Sequence, residues 1–261
     1  MTALRANRSP VQIVAILLAV IIQIGATFLP QLGFGEPIGD RSDSVRTLIT
    51  PSGWAFAIWG PLFLGSALFA IWQALPKQRD SELVDRIGWS AVGALSAQGL
   101  WATYTQFANL TVISAIIIAF SLMCLLAILR VMVSFERPFT AGERWIVALV
   151  FSALAAWLTA ATIVNISATL VYYGVAGGFE YPLIAAAIIL VGGAIAATAV
   201  ARSKGNPWYS LVFLWALLAI YFRGGQESGA IAIATAVSGV AVAAACLGAL
   251  RHRDNRARWF G

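Results

Sequence analysis

Ionisable side chains are scarce in this chain. Of its 261 residues 11% are charged and 60% are hydrophobic, and Asp, Glu, Lys, Arg and His are missing from the interiors of its apolar segments. Ionisable groups at membrane depth usually mark ion-coupled transporters and proton relays, and they also supply the acids and bases of catalysis. The composition therefore argues against an ion-coupled transporter or proton relay, and against an enzyme that uses acid–base catalysis.

Histidine and cysteine are nearly missing as well, which bears on metals and cofactors. The single histidine, His252, lies in a basic C-terminal run, so a haem or chlorophyll held by an axial histidine inside the membrane is excluded for this chain. Cys124 and Cys246 lie inside apolar segments and are interpreted as small packing residues. The sequence contains no phosphate loop, nucleophile elbow or metal-spaced cluster, so we expect no enzymatic activity, no metal site and no required cofactor.

Long apolar stretches dominate the sequence instead. Eight of them are about 20 residues long, which is the length that crosses a bilayer as a helix. The sequence therefore predicts an all-α polytopic membrane protein with eight transmembrane helices. The predicted spans cover residues 11–29, 51–75, 87–107, 110–133, 143–173, 181–201, 207–222 and 228–250.

The basic residues predict an orientation. Fourteen of the 17 Lys and Arg residues fall on one side of the eight spans, and only Arg41, Arg46 and Arg223 fall on the other. Because basic loops stay in the cytoplasm, both termini are predicted to be cytoplasmic, in a bacterial-type inner (plasma) membrane. The net charge of +6 is spread over helix ends, so the predicted partner is the lipid bilayer and not nucleic acid. The basic C-terminal run Arg251 to Arg258, closed by Trp259 and Phe260, is expected to lie on the inner headgroups.

Small residues recur at a spacing of four in the eighth predicted span, and Ala, Gly and Val also dominate the sixth. Such spacing lets helix backbones approach closely. It predicts tight packing either inside the bundle or against a partner, which would be a second copy of the chain or a membrane complex. The stripe in the eighth span consists of Ala232, Ala236, Val240, Ala244 and Gly248.

Three tryptophans from different spans fall at similar depth. At about 1.5 Å per residue, Trp59 lies roughly 12 Å, and Trp101 and Trp157 lie roughly 9 Å, below the outer surface of the membrane. Gln98 shares a helix face with Trp101, Asn165 shares one with Trp157, and amides in lipid need a partner. Two interpretations stay open: the amides bond neighbouring helices, or they line an outer cavity for a planar, largely apolar ligand. The rim groups of such a cavity would be Tyr104, Gln106, Asn109 and Tyr172.

Three motifs carry a family resemblance. The long loop before the second span runs into Thr50-Pro51-Ser52-Gly53-Trp54-Ala55-Phe56-Ala57-Ile58-Trp59. The third span carries Gln98, Trp101 and Tyr104, and the fifth carries Trp157, Ala160, Ala161, Val164 and Asn165. These stretches resemble the translocator protein (TspO) family of tryptophan-rich sensory proteins, whose five helices carry Pro-Pro-Gly-Trp-x-Phe, Asn-x-x-Trp and Trp-x-x-Phe-Ala-x-x-Leu-Asn. The chain departs from that pattern at Ser52, Trp59, Gln98 and Ala160.

The resemblance covers about residues 10–175. It implies a TspO-like five-helix core over residues 1–175, with residues 176–261 as three additional transmembrane helices and a basic cytoplasmic tail. The family is associated with binding porphyrins and other hydrophobic ligands, so the resemblance implies a membrane binding protein with a sensory or ligand-handling role. A porphyrin or other tetrapyrrole would be its ligand. The ligand-binding residues would be Trp54, Phe56, Trp59, Gln98, Trp101, Tyr104, Trp157 and Asn165.

Two other functions stay open on the sequence. One is a structural or assembly subunit of a larger membrane complex, including a pigment-bearing one. The other is a facilitator of lipophile transport that needs no ion coupling. The loop 30–50 directly precedes Pro51, and the sequence leaves open whether this loop forms a lid over the outer cavity.

Overall fold

The computed structural model describes residues 8–175 and 181–261, and within these ranges the regular elements are helices. The α-helices are α1 Pro10–Gly25, α2 Ile38–Ser44, α3 Trp59–Ala74, α4 Glu82–Ala108, α5 Val112–Ser134, α6 Leu149–Tyr172, α7 Pro182–Arg202, α8 Pro207–Tyr221, α9 Gly224–Glu227, α10 Gly229–Leu250 and α11 Arg253–Phe260. A 3-10 segment, Gly53–Ile58, leads into α3, and a π-helical turn, Glu143–Ala148, leads into α6.

The long helices lie where the hydropathy of the sequence predicts the eight spans. Seven helical segments in the described ranges are long and apolar enough to cross a membrane: Pro10–Phe28, Gly53–Ala74, Val112–Ser134, Glu143–Tyr172, Pro182–Arg202, Pro207–Glu227 and Gly229–Leu250. The remaining long helix, α4, has 27 residues but is less apolar, because it begins with charged residues and carries two glutamines. It packs along α1 and α5 inside the bundle.

Close contacts fix the relative directions of the long helices. A Cβ on Gly88 would lie 2.2 Å from Gln12, and one on Gly99 would lie 2.7 Å from Ile22, so α1 and α4 run side by side in the same direction. A turn at Asn109, whose φ is +71°, then reverses the chain into α5. Helices α1 and α4 therefore run in one direction and α5 in the opposite one, as expected for spans that cross a membrane in turn.

The first described residues and the C-terminal helix meet at the same end of the bundle. Arg8 is buried and donates to the Gln73 side chain at 2.8 Å. At that end Arg258 donates to the carbonyl of Phe135 at 2.7 Å, and the Trp259 indole donates to the carbonyl of Lys204 at 3.1 Å. Trp259 is fully buried, so the expectation that it lies on the lipid headgroups is wrong for this residue, while Arg251, Arg253 and Arg256 of the run are exposed. Carbonyl groups left over at helix ends and turns bind Arg258 and Trp259 instead.

Small residues bring α7 and α10 into close contact. A Cβ on Gly193 would lie 2.3 Å from the Ser238 hydroxyl, and that hydroxyl donates to the carbonyl of Ile189 at 3.1 Å. This contact is internal to the bundle, but it is made by Gly193 and Ser238 and not by the predicted stripe. Four of the five stripe residues are exposed: Ala236, Val240, Ala244 and Gly248.

Helix α6 is the centre of the fold, since 78% of its most apolar stretch is buried. It contacts α3, α5, α7 and α8. Its contact with α8 is partly polar: the Tyr209 hydroxyl donates to Thr159 at 2.9 Å, and the Asn206 amide donates to Ser152 at 2.7 Å. Helix α8 therefore shares one core with the helices that precede it in the chain.

Candidate functional site

A cavity of about 650 Å³ lies at the end of the bundle opposite to α11. The last turns of α1 and α4, the first turn of α3 and the 3-10 segment form its walls. Pro37, Ile38 and Asp43 of the loop 30–50 also line it, so this loop forms part of the cavity wall. The loop 30–50 is called the lid below, and its closing over the cavity stays a prediction.

Aromatic side chains form one wall of the cavity. Phe56, Trp59, Phe63 and Trp101 line it. The rings of Trp59 and Phe63 are stacked, with centroids 5.1 Å apart, and the edge of the Trp157 indole meets both Trp59 at 6.1 Å and Phe56 at 6.2 Å. The three tryptophans that the sequence places in one layer are thus brought together.

A smaller void of about 50 Å³ lies behind this wall, and Trp157, Asn165, Phe56 and Trp101 line it. The Trp101 indole donates to the side-chain oxygen of Asn165 at 2.9 Å, and the Asn165 amide donates to the Ser114 hydroxyl at 3.0 Å. Asn165 therefore connects α4, α5 and α6. The indole N–H of Trp157 is buried and has no acceptor among the described residues.

Glutamine side chains line the cavity from α1 and α4. Gln23 donates to the side-chain oxygen of Gln98 at 2.8 Å, and Gln98 in turn donates to Ser121 at 3.3 Å. Gln106 donates to the carbonyls of Ala26 at 2.9 Å and Ala102 at 2.8 Å. Gln98 thus bonds neighbouring helices and also borders the cavity, while a ligand in that cavity stays a prediction.

Two of the predicted site residues lie elsewhere. Trp54 is 43% exposed and meets the Trp215 ring edge-on at 4.9 Å, while the Tyr104 hydroxyl hydrogen-bonds Thr111 at 2.8 Å. Neither residue lines the two voids. The geometry of the 3-10 helix explains the position of Trp54. With three residues per turn, positions three apart lie on the same side, so Gly53, Phe56 and Trp59 face the cavity and Trp54 does not.

Ion pairs hold the lid against the turn that follows α8. Arg223 donates to Asp43 at 2.7 Å and to the carbonyl of Pro51 at 3.1 Å. Arg46 pairs with Glu227 in the same contact. On the other side of the lid, the backbone carbonyl of Gln106 accepts from the backbone N–H of Glu36 at 3.0 Å. The lid is therefore tied to both α4 and α9.

Several residues of the site were not predicted from the sequence. Gln23 is an amide within an apolar span, and the argument that selected Gln98 would also have selected it. Phe63 is one turn from Trp59 on the same helix face. Asp43 and Arg223 are 180 residues apart, and nothing in the sequence connects them. In the described ranges, no group of three or more His, Cys, Asp or Glu side chains could hold a metal ion.

The apolar helices, their alternating directions and the internal aromatic cavity define a polytopic α-helical membrane protein. The model of the TSPO-like protein family matches residues 9–249, and the chain belongs to this family. No curated protein and no solved structure matches the chain. The family match includes α7, α8 and α10, beyond the three motifs seen in the sequence. A division between residues 175 and 176, where residues 176–180 lie outside the described ranges, stays a prediction.

Proposed function

We propose that the chain binds a planar hydrophobic ligand of the tetrapyrrole type in the cavity under the lid and has a sensory or ligand-handling role. The observation that supports this proposal is the cavity, which has a volume of about 650 Å³ and a wall formed by Phe56, Trp59 and Trp101. Ligand sites in proteins typically enclose about 300–1,000 Å³ and are lined mainly by apolar and aromatic side chains.

Flat aromatic side chains suit a flat ligand because ring pairs gain about 0.5–1.5 kcal/mol beyond the area that they bury. Trp59 is half-buried and lines the cavity, with Phe63 stacked on its ring and Trp157 packed edge-on to it, so its ring is placed for such a contact. The lid covers the ligand from the aqueous side. Binding then needs neither an acid nor a base, and the proposed role is not enzymatic.

The proposed location is a bacterial-type inner membrane with both ends of the chain in the cytoplasm. The distribution of basic residues supports this orientation, because the end of the bundle that carries Arg8 and α11 is the more basic one. The cavity would then open toward the outer side of the membrane.

A titration with protoporphyrin IX, followed by quenching of tryptophan fluorescence, tests the proposal. We expect saturable binding by the purified protein and about tenfold weaker binding by Trp59→Leu, which removes one aromatic wall. Trp145→Leu is the matched control, because Trp145 is an exposed tryptophan near the opposite end of the bundle. Quenching that does not saturate, or that is equally affected by both substitutions, would contradict the proposal.

The alternative role as an assembly subunit is supported by the exposed small residues of α10, including Ala236 and Val240. Purification in mild detergent separates the two roles. Partner chains in fixed stoichiometry, lost on Ala236→Leu, would favour assembly. A chain that purifies alone would count against it.

The alternative role as a facilitator is supported by a second, lipid-facing groove of about 860 Å³ between α3, α8 and α10. Ala57 and Ile58 of the 3-10 segment line this groove, while Phe56 lines the cavity. Flux of a porphyrin across proteoliposomes that exceeds the flux across protein-free vesicles would favour transport over static binding.

A further inference from the structure

We propose that Arg223 is the anion anchor of the cavity and that the ligand is an amphipathic anion, with a flat apolar body and a carboxylate. This inference rests on the proposed function and names the chemical class of its ligand. The body would lie against the aromatic wall, and the carboxylate would bind the guanidinium of Arg223 at the mouth under the lid.

Arg223 is the one basic side chain among the described residues that line the cavity. Its side chain is 21% exposed, so it is largely removed from water. The bond from its Nη1 atom to the carbonyl of Pro51 holds the guanidinium in place at 3.1 Å. A guanidinium has five N–H donors in a planar fork that matches a carboxylate, and the bond to Pro51 leaves donors available.

The amide groups deeper in the cavity offer few hydrogen-bond donors to a carboxylate. The NH2 groups of Gln23, Gln98 and Gln106 all donate to protein oxygens. The side-chain oxygens of Gln23 and Gln106 have no donor among the described residues, and an oxygen acceptor repels an anion. The polar lining therefore directs an anionic group away from the glutamines and toward Arg223.

Asp43 accepts a hydrogen bond from the guanidinium of Arg223 when the lid is closed. The Asp43 side chain is 60% exposed and lies 2.7 Å from the Nη2 atom of Arg223. A ligand carboxylate would take its place, and Asp43, at the surface, would be solvated by water. Asp43 is thus an internal competitor of the ligand, so removal of its charge should strengthen the binding of anions.

A second ion pair provides a matched control. Arg46 and Glu227 join the same two elements, the lid and α9, but neither residue lines the cavity. Loss of this pair would loosen the lid without changing the anchor. A comparison of variants of the two ion pairs therefore distinguishes an effect on lid closure from an effect on recognition of the carboxylate.

The test compares protoporphyrin IX with its dimethyl ester, which has the same ring but no carboxylates, in titrations of the purified full chain. We expect the wild-type protein to bind the acid about tenfold more tightly than the ester. Arg223→Gln should abolish this preference, whereas Arg223→Lys should keep part of it. Asp43→Asn should raise the preference for the acid over the ester about threefold or more, whatever its effect on lid closure.

Arg46→Gln should change the affinities for the acid and the ester by the same factor. Equal wild-type affinities for the two porphyrins, or a preference for the acid that survives Arg223→Gln, would overturn the anchor while leaving the proposed function standing. A preference for the acid that falls in Asp43→Asn would also overturn it. If neither porphyrin bound saturably, the proposed function itself would fail, and the anchor with it.

Discussion

Gly224→Ala should open the lid. In the structure a Cβ at position 224 would lie 2.0 Å from the backbone carbonyl oxygen of Leu48 and 3.0 Å from its carbon. Carbon and oxygen atoms in contact are normally more than about 3.2 Å apart, and a backbone group cannot rotate away as a side chain can. The lid backbone and α9 must therefore move apart by roughly 1 Å.

Overpacking of this kind typically costs about 1–3 kcal/mol. Here the cost falls on the contact between the lid and α9, so the opening equilibrium of the lid should shift by about 5–150-fold. Global unfolding should change less, because α9 has four residues and the bundle core does not depend on it. The same movement would separate Asp43 from Arg223.

Hydrogen exchange over residues 36–48 measures this opening, in protein held in lipid nanodiscs. Gly229→Ala is the matched control, because nothing lies within 4 Å of a Cβ at that position and alanine favours the helix that begins there. We expect faster exchange in Gly224→Ala and wild-type exchange in Gly229→Ala. Equal protection of the lid in both variants would refute the steric argument.

Two further predictions concern buried polar and aromatic groups. Asn165→Ala should lower the free energy of unfolding by about 1–3 kcal/mol, because it leaves the Trp101 indole N–H without its acceptor and removes one of the two partners of the Ser114 hydroxyl. Reversible denaturation in mixed micelles measures this, and an unchanged midpoint would show that the bonds are not important for stability. Trp259→Ala should lower the free energy of unfolding by about 3–5 kcal/mol in the same assay, since the indole is fully buried. Phe260→Ala, at a half-exposed neighbour, should lower it much less. Similar losses in the two variants would contradict the burial of Trp259.

The fold was largely predictable from hydropathy. Apolar segments of about 20 residues located the long helices, and the alternation of basic residues predicted that both ends of the described chain lie on one side of the bundle. The position of Trp259 was not predictable in this way. A basic run ending in an aromatic residue is typical of a membrane-surface segment, and only the arrangement of helix ends shows that carbonyl groups are available to bind it.

The site was predictable in part. Trp59, Trp101 and Gln98 were found from depth and helical spacing, because α-helical periodicity holds where they lie. Trp54 was placed in the cavity on the motif alone. The segment around it is a 3-10 helix, in which Trp54, two positions before Phe56, lies on a different side from Phe56, so the motif alone did not show which way its side chain points.

The pairing of Asp43 with Arg223 depends on two loops that meet only in the folded chain. Such a contact has no local pattern. It is therefore the part of the site for which a single sequence carries no signal, although Arg223 was already unusual as one of three basic residues on its side of the spans.

The 3-10 segment Gly53–Ile58 is one chain thick, and it separates two compartments. Phe56 borders the cavity, and Ala57 borders the lipid-facing groove. A ligand in the cavity and a lipid chain in the groove would press on the same six residues from opposite sides. Thermodynamic linkage then requires that the two influence one another by the same factor. Under the proposed function, the composition of the surrounding bilayer would then alter ligand affinity, and an affinity measured in one lipid would hold for that lipid.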